Sequence, residues 1–138
     1  MGASGQNFSA CSWQAPRVFR ITGTEGTSSV TVLENLVSAR AKIAKPEDWT
    51  QDALARNALG HGLYSSHDHA AVCWCALGAI RAAGGKHSLE VFATVNHFAR
   101  VNDIIDIPAW NDSVTHEEVL AAFDRAIEAE RQKEQIAA

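Results

Sequence analysis

Five side chains able to ligate a metal or act as nucleophiles fall within fifteen residues: His61, His67, His69, Cys73 and Cys75. Zinc takes four such donors at tetrahedral corners, as neutral imidazole or thiolate. If a helix reached back to His69, then His69 and Cys73 would stand one turn apart and could share an ion, with His67 or His61 folding over from the preceding loop. Cys73 and Cys75 would then lie about 200° apart around that helix and could not both face the ion. No Cys-x-x-Cys or His-Glu-x-x-His spacing is present, and His116-Glu117 is followed by Leu120 where a second His would be needed. The expectation is therefore no cofactor, with zinc on His67, His69 and Cys73 as the alternative.

A nucleophilic cysteine is the other chemistry these residues could support, with Cys73 or Cys75 activated by His61, His69 or His97. A reactive thiolate is usually stabilised at a helix N-terminus or beside a cation. The local pattern predicts a helix over 69–83, which would bury Cys75 some two turns inside it, beyond the reach of the helix dipole. An inert core thiol is the simpler expectation.

The remaining candidates are Trp49, Arg56, Trp110 and Asp112, expected as residues that bind a ligand or partner. Asn111 and Asp112 are natural turn formers between Pro108 and the last helix, and Trp110 can seal the core beneath them. No glycine-rich phosphate loop follows a strand: Gly84-Gly85-Lys86 comes after a helical segment and lacks the Ser or Thr that such a loop places beside its Lys.

These residues must be positioned by a mainly α fold, a compact bundle of about four helices with a small β-hairpin between the first two. Thr31-Val32-Leu33-Glu34 has the form of a capping box and opens a helix over 31–45, which Pro46 ends. The two glycines of Ala58-Leu59-Gly60-His61-Gly62 argue against a continuous helix and leave a hairpin or irregular loop. The second helix, 69–83, would start at Asp68 and stop at Gly84-Gly85. Its run from Ala70 to Ile80 is apolar on every side and should form the middle of the fold. Gly78 within it should let another backbone or an aromatic ring come close. A third helix over 89–101 carries a wide apolar face of Leu89, Val91, Phe92, Val95, Phe98 and Ala99; a homodimer would cover what one small core cannot. Residues 104–110 read as an apolar connector. A second capping box, Thr115-His116-Glu117-Glu118, opens the last helix.

The organisation expected is a flexible N-terminal arm or tail over 1–28, one helical domain over 29–130, and a fraying end over 131–138. Aromatic Phe8, Trp13 and Phe19 give the arm something to dock with.

Several stretches resemble a family of small bacterial proteins known only as a domain of unknown function. They are Trp49-Thr50-Gln51, Ala55-Arg56, Trp74-Cys75-Ala76-Leu77-Gly78-Ala79-Ile80, Trp110-Asn111-Asp112 and 115–127. The resemblance spans about residues 31–127 and implies a bacterial or mobile-element origin and a single domain. It carries no activity. Asp52-Ala53-Leu54 departs from the family's glycine and aromatic before Ala-Arg, and Cys73 is not part of its pattern, which weakens the zinc reading further.

Composition excludes several classes. The 138 residues are 46% hydrophobic and 20% charged, so the chain as a whole is not disordered. Twelve Lys and Arg against sixteen Asp and Glu give a net charge of −4, which argues against nucleic acid as a partner. The uncharged run from His69 to Ile80 is far shorter than the roughly 20 residues of a membrane span. Three cysteines make no even disulfide framework, so a cytoplasmic location is expected. The function expected is recognition of a protein partner or small effector without catalysis; the alternative is a metal- or cysteine-dependent enzyme centred on His69 and Cys73.

Overall fold

The computed structural model describes residues 31–84 and 89–137. The expected arm over 1–28, with Cys11 and its aromatics, lies outside the described residues, as do Gly85, Lys86, His87 and Ser88.

Helix α1 runs from Val32 to Lys42. Its predicted capping box is present: Thr31 Oγ1 accepts the Glu34 amide at 3.1 Å, and Glu34 Oε1 accepts the Thr31 amide at 3.0 Å. Pro46 opens a 3-10 turn, Pro46–Asp48. The inward stripe is Asn35, Leu36, Ala39 and Ile43, whereas Val37 and Ala44 are exposed.

The predicted hairpin exists, joined by a strand that sequence periodicity did not indicate. Strands β1 (Ala55–Arg56), β2 (Gly62–Leu63) and β3 (Cys73–Trp74) form an antiparallel sheet in the order β2-β1-β3. Ala55 sits opposite both Leu63 and Trp74, and Arg56 opposite both Gly62 and Cys73. Trp49 adds a parallel bridge to Trp74.

The second helix is therefore shorter than predicted. Helix α2 covers Ala76–Gly84, and residues 69–75 are turn and strand. The cause is the backbone of β1. The Val72 amide donates to Arg56 O at 2.9 Å and the Cys75 amide to Leu54 O at 3.1 Å, so the chain satisfies β1 on its second edge before it turns helical. Asp68 does not cap a helix; its Oδ1 accepts the Ala70 amide at 2.8 Å in a local turn. The stretch from Ala70 to Ile80 is also not a rod shielded on all sides, since Ala70 is exposed and Trp74 and Leu77 are half-buried. The close approach expected at Gly78 is that of the Leu54 backbone: a Cβ there would meet the Leu54 carbonyl.

Helix α3 (Leu89–Asn102) divides its apolar residues between two sides. Val91 and Phe98 enter the core, while Leu89 and Phe92 are 80% and 66% exposed. The apolar connector contains a short helix, α4 (Ile107–Asn111), capped by Asp106, whose Oδ1 accepts the Ala109 amide. Ile107 is buried, but Ile105 is fully exposed. Helix α5 (His116–Ala137) starts from the predicted capping box between Thr115 and Glu118. It is helical to Ala137. The core gathers Leu36, Ile43, Ile80, Phe98, Val119 and Phe123, with the Phe98 and Phe123 rings 4.6 Å apart. The described fold is mainly helical, with one small sheet at the side where α2 and α4 begin and end.

Candidate functional site

The sheet side of the molecule is organised around Asn111, the last residue of α4 and wholly buried. Its Oδ1 accepts the Trp49 indole N–H at 2.8 Å and the Ala76 amide at 3.0 Å, which caps the start of α2. Its Nδ2 donates to Thr50 O at 3.1 Å. One side chain thus ties together three segments that are distant in sequence, as a buried amide must if its desolvation is to be offset.

Neighbours repeat the pattern. Gln51 Nε2 donates to the carbonyls of Asn111 and Val114, each at 3.1 Å. Asp112 Oδ1 accepts the Asp52 amide at 2.8 Å. That bond holds Asp52 at φ 67°, a left-handed conformation that Asp tolerates better than most residues. Arg56 spans the loop: Nε donates to Thr50 Oγ1 at 2.7 Å, Nη2 to Gln51 O at 2.8 Å and Nη1 to Gly60 O at 2.9 Å. On the far side of Trp49, the His116 ring lies 5.6 Å away, and its Nε2 donates to Ile43 O at 2.7 Å.

Two clefts, each of about 470 Å³, flank this frame and meet at Asp52. One is the more polar and is bounded by Trp49, Thr50, Gln51, Arg56, Leu59 and Gly60. The other is more apolar, with Ala53, Leu54, Leu77 and Pro108 beside Cys75, Arg81 and Asp112.

Cys75 is placed differently from the sequence expectation. It is not two turns inside a helix but at its mouth, where its carbonyl accepts the Ala79 amide and its Sγ accepts the Gly78 amide at 3.3 Å. Burial nevertheless pushes the thiol above its ordinary 9.0, and the Asp112 charge adds to this; the Gly78 and Leu77 amides oppose it. No imidazole lines this cleft. Cys73 is buried and held in a disulfide, so it offers no thiolate for catalysis or for zinc. His69 is exposed, and His67 Nε2 is buried without a hydrogen-bond partner. Among the described residues, no three His, Cys, Asp or Glu side chains are grouped so as to hold a metal ion. The expected set needed His69 and Cys73 one turn apart on a helix, with His67 folding over from the loop before it, and the third strand replaces that helix.

Of the four predicted binding residues, Trp49, Arg56 and Asp112 come together around Asn111. Trp110 does not: its ring turns inward, edge-on to Phe98 at 5.8 Å. Sequence reasoning missed Asn111 as the hub, and also Gln51 and His116. In sequence Asn111 reads as a turn former, and only its place between Trp110 and Asp112 in a recognisable triplet points to it.

Beside the frame, Lys42 Nζ sits 4.4 Å above the Trp74 ring. Burial lowers its affinity for a proton, partly countered by Asp48. Burial, with Glu47, raises the Asp48 carboxyl above its ordinary value; Lys45, His116 and Lys42 pull the other way. No helix among the described residues is long and apolar enough to cross a membrane.

No curated protein and no solved structure matches the chain. A family model does, over residues 27–129, and it includes every residue of the Asn111 frame and of both clefts. The chain belongs to that family, a family of unknown function designated DUF6197.

Proposed function

We propose that the protein is a non-catalytic binding protein that receives a small effector in the paired clefts meeting at Asp52. The observation that carries this reading is the way the polar side chains around the clefts are used. Asn111, Gln51 and three N–H groups of Arg56 are spent on neighbouring backbone and side chains, which makes walls of fixed shape. Preformed, partly apolar clefts with a few fixed polar groups are what small-molecule recognition requires. Acid–base or nucleophilic catalysis would instead need a thiol or carboxyl within reach of an orienting base. Burial, and to a lesser degree the Asp112 charge, push the Cys75 thiol in the apolar cleft above its ordinary value, which makes thiolate formation harder.

The net charge of −4 supports a partner other than nucleic acid. A homodimer, if formed, would use Leu89 and Phe92, the part of the α3 face that the core leaves exposed.

The test is a thermal-shift screen of small metabolites with mass analysis of each compound afterwards. The reading expects at least one compound to raise the melting temperature and to be recovered unchanged. A compound that stabilises the protein and is returned chemically altered would establish the enzymatic alternative.

A further inference from the structure

Arg56 is a half-buried cation whose fixed partners are all neutral. Its three hydrogen bonds go to a hydroxyl and two carbonyls, Thr50 Oγ1, Gln51 O and Gly60 O. Among the described residues no carboxylate lies within ion-pair distance of it. A guanidinium has five N–H groups, so with these three bonds made one N–H remains on each terminal nitrogen, the pair that a carboxylate can span. Removing a charge from water without a counter-charge is costly, and a cleft opens directly beside this one. Arg40, by contrast, has Asp124 at 2.7 Å.

The geometry points to a carboxylate-binding subsite at Arg56, taking a small monocarboxylic acid whose apolar body rests against Trp49 and Leu59. This rests on the binding reading above and adds the ligand class to it. The anion completes the donor set of Arg56 and supplies its missing counter-charge. Asp52 lies on the same rim, so an entering anion meets one carboxylate as well as the guanidinium. The cleft, about 470 Å³, has room for a ring or short chain beyond the carboxylate. Leu59, 77% exposed at its edge, gains an apolar contact it otherwise lacks.

Benzoate titrated into the full chain at low ionic strength, read by ¹⁵N NMR on the Arg56 Nε–H and the amides of Gln51 and Gly60, tests this. Saturable shifts are expected, with affinity falling about tenfold or more in Arg56→Gln. Because Arg56 also holds the loop, a second pair of variants is placed at an exposed position. Leu59→Asp should weaken benzoate binding and Leu59→Lys strengthen it, each by about two- to threefold. Shifts that do not saturate, or affinities unchanged in both Leu59 variants, would overturn the proposal. Benzyl alcohol binding the same amides as tightly as benzoate would overturn the anion assignment alone and leave the cleft a binding site. Compounds of every charge failing to bind in either cleft would overturn the broader reading as well.

Discussion

The indole N–H of Trp49 and the amide oxygen of Asn111 meet at 2.8 Å across 62 residues of chain. The same oxygen accepts the Ala76 amide, so the start of α2, the end of α4 and the loop before the sheet share one acceptor. The shape of both clefts follows from this junction.

Asn111→Ala should therefore be among the costliest polar truncations in the molecule. It leaves the Trp49 indole N–H, the Ala76 amide and the Thr50 carbonyl without partners in a buried place. At about 1–3 kcal/mol per orphaned group, partly relieved by entering water, a loss of about 3 kcal/mol or more is expected. Urea unfolding followed by circular dichroism measures it; a loss below about 1 kcal/mol would show that Asn111 is not the hub.

Trp49→Phe separates the hydrogen bond from the ring. Phe keeps an aromatic face toward His116 but cannot donate to Asn111, and a cost of about 1–2 kcal/mol is expected. In a double-mutant cycle with Asn111→Ala the two costs should fall short of adding, because they remove one shared bond. Strict additivity would mean that the contact carries no energy.

Gly78→Ala places a methyl group against the Leu54 carbonyl, which is backbone and cannot swing away. The segment carrying Leu54, just before β1, would have to shift, at a cost of about 3 kcal/mol. The matching control is Ala83→Gly in the same helix, where only the propensity difference of about 1 kcal/mol should be lost. Thermal unfolding of both variants compares them.

Asp48 provides a pH test. Its folded carboxyl binds a proton more readily than in the unfolded chain, chiefly because burial disfavours the charge. Between the ordinary value of 3.8 and the raised folded value, the native state holds more protons than the unfolded state, so stability contributed by this group falls as pH rises. Asp48→Asn should then melt above wild type near pH 7, and the two curves should converge below pH 3.8. A gap that widened on acidification would reverse the sign of the argument.

Much of the helical scaffold was legible in the sequence because its signals are local. The capping boxes at Thr31 and Thr115 and the stop before Pro46 each depend on residues a few positions apart. The third strand was not legible. Residues 69–75 are apolar and lie before a true helix, and nothing within them reveals that the backbone of Leu54 and Arg56 needs partners. This non-local demand displaced the helix start by seven residues, from His69 to Ala76, and moved Cys75 from an expected interior position to the helix mouth. The hub was hidden for the same reason. Asn111 reads as a turn residue until Trp49, Thr50 and Ala76 are brought to it by the rest of the fold.

A ligand that binds this protein should bind in the paired clefts. Amide shifts of the ¹⁵N-labelled full chain, recorded with any compound that raises its melting temperature, provide that measurement. The account predicts shifts concentrated at 50–60, 75–81 and 108–112, around the two clefts and their Asn111 frame. Shifts centred instead on α3 or on the exposed turns of α5, with those three segments unmoved, would contradict it.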